Sequence, residues 1–499
     1  MSPIQQLTTP RYERELGPLR LSLYACLISL ACLLLADLNV QTMHPLNELI
    51  RMIEGLLSPS LTDLDELFTA LAKTVSYALI AVTIGAVSSF ILAPYFVYKL
   101  VRVTCTLIRS VHEIFWALIF LQIFGLHPLT GILAISIPYI GILTKIYAEI
   151  IEENQCSVAL KKNQISRLTF YYYVQLPSAW KTMLNYTRYR FECALRASTV
   201  LGFIGLPTIG FYLETSLKEG QYDNVTGILL LLIGLIVSMR WWLNRYLFPC
   251  YLAAAFFLVG DWGNLKISDY FFSDIVPSAY HQHGFVGLLE WGCQLFLTSG
   301  LTGLANTFIL SQVAMMLSGV LALLWYPLVC QHFTNSPGRF VGNILLASIR
   351  SLPEYLLAFI FLLLFGPSML PGIIALGVHN GAIVGQLTGE HANQVTIKIK
   401  RLPALERYFY QITPQIYGQL LAFLFYRWEV IIRETAILGI LGIHTLGFFV
   451  DSGFQALHFD NALFFILLTA MLNCGVDALS SWVRKKVRRD AVLSLAPRV

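Results

Sequence analysis

Two stretches of the chain carry charge inside otherwise apolar, helix-like sequence. YRFECALRASTVLGFIG runs from Tyr189 to Gly205, and YRWEVIIRETAILGILG runs from Tyr426 to Gly442. Glu192 and Arg196 stand four residues apart, as do Glu429 and Arg433. That spacing puts both members of each pair on one helix face. Two chemistries are open to them. Each Arg either closes a salt bridge that fixes helix packing, or offers its planar guanidinium fork to a tetrahedral oxyanion, a task for which Lys is less suited. Arg190 and Arg427 stand nearer the adjoining loops and can snorkel to the surface. The glycines that follow (Gly202, Gly205, Gly210 and Gly439, Gly442, Gly447) allow close helix approach.

Nothing else in the chain has the spacing of a soluble active site. No GxxxxGK[ST], HExxH or GxSxG occurs, and the ten His are dispersed. The nine Cys are scattered without a CxxC pair, which argues against a zinc site or a disulfide framework. No metal or cofactor is expected, and no nucleic-acid partner.

The elements that must position these charges are membrane spans. The 499 residues are 56% hydrophobic and only 13% charged, against about 25% charged in soluble domains. By the requirement of roughly 20 apolar residues per crossing, about twelve spans are predicted. They lie near 21–39, 69–97, 104–124, 128–148, 183–205, 225–246, 247–261, 300–329, 340–365, 370–389, 416–442 and 462–483. The polar first 20 residues read as a cytoplasmic tail rather than a cleaved signal. Twelve spans put both termini on the inner side. The outside loops then hold three Lys or Arg (Arg51, Lys218, Lys266) and the spans three more (Lys73, Arg196, Arg433), leaving 28 of 34 inside. The outside loops are acidic, with Glu48, Glu54, Asp63, Asp65 and Glu66 in one and Glu214, Glu219 and Asp223 in another. The positive-inside rule asks for this asymmetry. An ion at the bilayer centre costs about 2.5–3.5 kcal/mol, and an exposed helical ion pair returns only about 0.3–0.5. The charged faces should therefore look at protein or water, not lipid.

The two stretches are one element seen twice. At an offset of 237, Tyr189–Phe211 and Tyr426–Phe448 are identical at 10 of 23 positions, and Pro177 pairs with Pro414. RSVHEIFWALIFLQIFG (109–125) matches RSLPEYLLAFIFLLLFG (350–366) at an offset of 241, pairing Arg109 with Arg350 and Glu113 with Glu354. Glu113 and Glu354 can cap the helix that each opens or pair with a loop Arg. Six spans per copy is an even number, so the copies are parallel repeats related by an axis along the membrane normal. The halves are set at 1–246 and 247–499, and their shared interface is the natural place for a path, with Arg196 and Arg433 on it. Each half carries one long basic loop, at about 149–183 and 390–415.

The order of spans, RS(V/L)xE before an apolar helix, a long loop ending in LP, and then YR(F/W)ExxxR…LGxxG resembles the phosphonate/phosphite permease family. These are membrane subunits of type I ABC importers, and the resemblance covers roughly residues 60–245 and 295–485. It implies an all-α integral membrane fold of two fused permease copies. The implied function is a transport subunit, not an enzyme, in a bacterial inner membrane. Two cytoplasmic ATPase subunits and an external substrate-binding protein would assemble with it to move a phosphonate, phosphite or similar oxyanion. The long loops resemble the EAA coupling motif that docks on the ATPase. Glu149 and Glu390 match its acidic start, Ala159 and Leu160 its Ala-Leu step, and Ser166-Arg167 the segment after its Gly, with Pro177 and Pro414 at the close. Lys398 lies in the second loop. The motif's Gly is replaced by Gln164 in the first loop and Arg401 in the second. A secondary transporter driven by an ion gradient, or a same-fold importer of another small anion or an amino acid, are the alternatives. A paired Glu is a poor proton carrier, because its partner stabilises the charged form.

Overall fold

The computed structural model describes residues 10–42, 45–153, 166–244, 246–260, 262–263, 265, 267–395 and 402–495. Among these every regular element is helical. The chain begins with α1 (Pro10–Leu35), α2 (Pro45–Leu57) and α3 (Leu64–Leu92). Then come α4 (Lys99–Ser110), α5 (Glu113–Phe124), α6 (Pro128–Glu153) and the short α7 (Arg167–Phe170). The charged helix α8 (Leu176–Val200) is followed by α9 (Ile209–Lys218), α10 (Tyr222–Trp242) and α11 (Phe248–Leu258). After the short α12 (Tyr270–Ser273) come α13 (Ser278–Leu295), α14 (Leu301–Val329), α15 (Ser336–Ser351) and α16 (Glu354–Phe365). The remainder is α17 (Met369–Ala392), α18 (Ala404–Glu406), α19 (Thr413–Ile440), α20 (Leu446–Gln455) and α21 (Phe459–Leu495).

Against the expected twelve spans, six helical stretches among the described residues are long and apolar enough to cross a membrane, or up to nine if each bent pair is one span. Two further apolar helices, Leu19–Leu35 and Phe248–Leu258, are shorter. The continuous helices expected over 104–124 and 340–365 are each broken. α4 meets α5 at 87° and α15 meets α16 at 84°. The cause is local. Val111 and Leu352 are extended (ψ 128° and 129°). Leu352 precedes Pro353, which disfavours helical backbone. His112 caps α5, its Nδ1 accepting from the Ile114 N–H at 3.2 Å. The 12-residue α5 and α16 are only about 18 Å long at ~1.5 Å per residue.

The described residues fall into two compact units. One takes Met1–Pro45, Gln294–Asp451 and Met471–Val499; the other takes Leu46–Cys293 and Ser452–Ala470. In the first of these, α14 lies along α17, and α19 and α1 pack on that pair. The close approach is written in the sequence of α17. Gly377, Gly381, Gly385 and Gly389 recur every four residues; a Cβ on Gly377, Gly381 or Gly389 would press into Leu317, Leu321 or Tyr326 of α14, and one on Gly385 would just touch Trp325 and Ala322. Small residues at that period let helix backbones meet without a hydrophobic driving force. The core between them is apolar, with Leu310, Ala314, Leu376, Leu420 and Ile431 buried.

In the other unit α3 packs on α6 and α8, and α11 packs on α3. Gly85 of α3 sits against Tyr139 and Leu143 of α6. Both units solve the end of the charged helix in the same way. Gly205 (φ 88°) and Gly442 (φ 91°) take the left-handed conformation that stops it. A Cβ on Gly202 would strike the Phe211 backbone N, and one on Gly439 the Phe448 backbone N. Ile209 N–H donates to Thr74 Oγ1 at 2.9 Å, and Leu446 N–H to Thr307 Oγ1 at 3.0 Å. These glycines, expected as close-packing positions, are therefore where α9 and α20 fold back on the helix before them.

Candidate functional site

The charged helices deliver their side chains into different surroundings in the two units. In α19 the expected pair forms. Arg433 Nη2 lies 3.2 Å from Glu429 Oε1, and Glu429 is only 5% exposed. A turn away, sequence reasoning missed a second and tighter arrangement. Arg427 Nε donates to Asn380 Oδ1 of α17 at 2.6 Å, and its Nη2 lies 3.4 Å from Glu434 Oε1. Asn380 closes the triangle by donating from Nδ2 to Glu434 Oε2 at 3.1 Å. Asn380 is fully buried and Glu434 is 7% exposed. The expectation that Arg427 snorkels is therefore not met. The largely buried Arg427 cation is held by a carboxylate and an amide from two helices, which is how an ion survives desolvation.

In α8 the equivalent arginine is held by rings. Arg190 lies 5.7 Å from the centroid of Tyr139 and 5.6 Å from that of Tyr186, and its Nε donates to Tyr186 Oη at 3.1 Å. Tyr139 stands where Asn380 stands at the offset of 241, and Ala197 where Glu434 stands at the offset of 237. At the position of Asn380 the first copy thus offers Arg190 an aromatic ring, a cation–π contact. Arg196 Nη2 lies 3.7 Å from Cys193 Sγ, and Glu192 is half-buried on the same helix. Near the helix starts, His379 Nε2 lies 3.8 Å from Glu354 Oε2 in α16, and His112 Nε2 lies 3.8 Å from Glu113 Oε2.

Of the residues expected in the long loops, Ala159, Leu160, Gln164, Lys398 and Arg401 lie outside the described residues. Glu149 ends near Lys145, at 3.9 Å. Glu390 borders a cleft at the end of α17. Arg167 opens α7. Pro177 and Pro414 fall in the first turns of α8 and α19, each continuous with the helical turn before it, and each lacks the N–H that an uninterrupted helix would use there.

Just before each proline the helix widens to π geometry, over Tyr171–Gln175 and Arg407–Ile412. Each widened turn is tied down by one tyrosine. Tyr171 Oη donates to Phe90 O at 3.3 Å, and Tyr408 Oη donates to Leu323 O at 3.0 Å. Tyr171 and Tyr408 match at the offset of 237. Burial raises the pKa of the Tyr408 hydroxyl above its ordinary value, so it acts as a neutral donor. The signal was present in the sequence as two tyrosines in register, but aromatic residues at a membrane surface are too common to single them out. In the second loop Arg407 also donates to His332 O at 2.7 Å and to Leu402 O at 2.9 Å.

Among the described residues no group of His, Cys, Asp and Glu could hold a metal ion. What the arrangement can do is bind and position charge. It offers arginines within apolar helices, and tethered loops whose ends are locked to α3 and α14.

No family model matches the chain. Over 480 residues it is 22% identical to the phosphate-import permease protein PhnE of Mycolicibacterium smegmatis, covering 88% of this chain and 89% of that protein. It is 32% identical over 177 residues to the phosphite transport system permease protein PtxC of Stutzerimonas stutzeri, covering 34% of this chain and 64% of that one. Among solved structures, an amino acid ABC transporter crystallised with histidines aligns with 40% of this chain and 97% of its own, at 18% identity and a TM-score of 0.33.

Proposed function

We infer that this chain, a homologue of phosphonate and phosphite transport permeases, is the membrane-spanning subunit of an ATP-driven importer for a small phosphorus oxyanion. The observation that carries this reading is the likeness to a phosphate-import permease along nearly the full length of both proteins. In this reading the chain does not hydrolyse ATP itself. Two cytoplasmic ATPase subunits dock on the loops at about 149–183 and 390–415, and an external binding protein delivers the anion. The chain is multi-pass, with about twelve spans in two parallel copies, 1–246 and 247–499, in a bacterial inner membrane with both termini in the cytoplasm. The paired packing of Thr74 and Thr307, of Gly202 and Gly439, and of Tyr171 and Tyr408 supports the two-copy layout. Arg196 and Arg433, with Glu192 and Glu429, serve the translocation path.

The test is reconstitution of the chain with the ATPase that co-purifies with it and the external binding protein. Uptake of phosphate, phosphite or a phosphonate should require ATP and the binding protein and should ignore a proton gradient. Uptake driven by the gradient without ATP, with no ATPase bound, sinks the reading.

A further inference from the structure

The end of α17 and the start of α15 border an open cleft of about 380 Å³, lined by Val329, Ser336, Arg339, Phe340, Asn343, Glu390 and Asn393. Two of the polar residues are engaged with the backbone. Asn393 accepts from Gln331 N–H at 2.7 Å and donates to Val329 O at 3.4 Å, and Asn343 donates to Arg339 O at 2.9 Å. The two charged groups are accessible from the cleft, Arg339 half-buried and Glu390 exposed. Arg339 and Glu390 line one cleft, yet among the described residues neither forms an ion pair with the other or with any group.

The matching site in the first copy shows what has changed. There Glu149 has Lys145 at 3.9 Å. At the offset of 241 Lys145 becomes Gln386, whose Nε2 donates to Glu390 Oε1 at 3.3 Å. An amide satisfies one lone pair without cancelling the charge. The cleft therefore presents a cation and an anion together, which suits a zwitterion.

Its rim is apolar and exposed. Phe340 lines the cleft and is 68% exposed, and Val341, Ile344 and Leu345 continue an exposed apolar strip along α15. α15 stands at 84° to α16, so in the membrane-spanning reading an upright α16 leaves α15 along the membrane surface.

We propose that this cleft binds the headgroup of a phospholipid carrying both a phosphate and a primary ammonium, as in phosphatidylethanolamine. Arg339 takes the phosphate through its fork, Glu390 takes the ammonium, and the acyl chains leave over Phe340 and the apolar strip. A purely anionic headgroup is disfavoured by Glu390. The inference rests on the membrane-spanning reading and on neither the transported substrate nor the ATPase.

The test is titration of the full-length chain, purified in mild detergent, with phosphatidylethanolamine, phosphatidylglycerol and free phosphoethanolamine, read by native mass spectrometry. Phosphatidylethanolamine should bind about tenfold tighter than phosphatidylglycerol. Arg339→Gln should lose that binding about tenfold, and Arg339→Lys, which keeps the charge but not the fork, should fall between the two. Glu390→Gln should bind the two lipids alike. Equal binding of both lipids to the unaltered chain, or undiminished binding to Arg339→Gln, overturns the proposal. So does binding of free phosphoethanolamine as tight as that of the lipid, since the ligand is then soluble. The assay contains no ATPase and no substrate, so its failure leaves the transport reading untouched, and failure of transport leaves this one untouched.

Discussion

Arg427 and Arg433 lie six residues apart on one helix, and the structure gives them different work. Arg433 pairs with Glu429 on its own helix, at a spacing legible in the sequence. Arg427 crosses to Asn380, 47 residues away, and no local pattern announces such a partner. The buried triangle predicts an uneven mutational response. Arg427→Ala leaves the Glu434 charge buried without its cation and should destabilise the chain by about 3–5 kcal/mol. Arg427→Ala combined with Glu434→Gln should recover much of that loss. Thermal unfolding in detergent measures both, and equal destabilisation of single and double variants would contradict the pairing. For the transport path, Arg196→Gln and Arg433→Gln should each lower oxyanion uptake about tenfold or more, the worth of one charge-assisted hydrogen bond at about 1.5–3 kcal/mol. Wild-type uptake with unaltered anion selectivity removes these residues from the path.

At the scale of helices, the repeated blocks were readable because identical residues recur at constant offsets. The bends were not. Glu113 and Glu354 were legible as helix openers, and Pro353 favours an extended Leu352, but the sharp turn at Val111, which no proline follows, depends on a single extended residue rather than on composition. The tethered π turns were hidden for a related reason: their partners are backbone carbonyls, which have no sequence signature. They carry a prediction of their own. Tyr171→Phe with Tyr408→Phe removes both ties between the loop ends and α3 and α14. The expected outcome is a fold weakened by about 1 kcal/mol per lost hydrogen bond and fewer anions moved per ATP hydrolysed. An unchanged ratio of transport to hydrolysis in reconstituted vesicles shows that the ties do not transmit motion. Gly439→Ala tests the helix return. Its Cβ would meet the Phe448 backbone, so a loss of about 1–3 kcal/mol is expected, against little change for Gly475→Ala, which meets nothing nearby.

For the whole molecule, composition alone leads to the membrane, since 13% charged residues over 499 positions leaves too little polar surface for a soluble protein of this size. Orientation is the prediction that belongs at this scale. Single cysteines placed at 497 and in the 149–183 loop should be labelled by a thiol reagent only after the inner face is opened, and one near Lys218 should be labelled from outside in intact cells. Labelling of all three from one side would overturn the twelve-span reading.

The triangle of Arg427, Asn380 and Glu434 has a counterpart of Arg190, Tyr139 and Ala197. On the proposed two-copy layout, a pair of identical subunits would bring any new carboxylate into the assembly twice, whereas a single chain carrying both copies can change one alone, as Glu434 stands against Ala197.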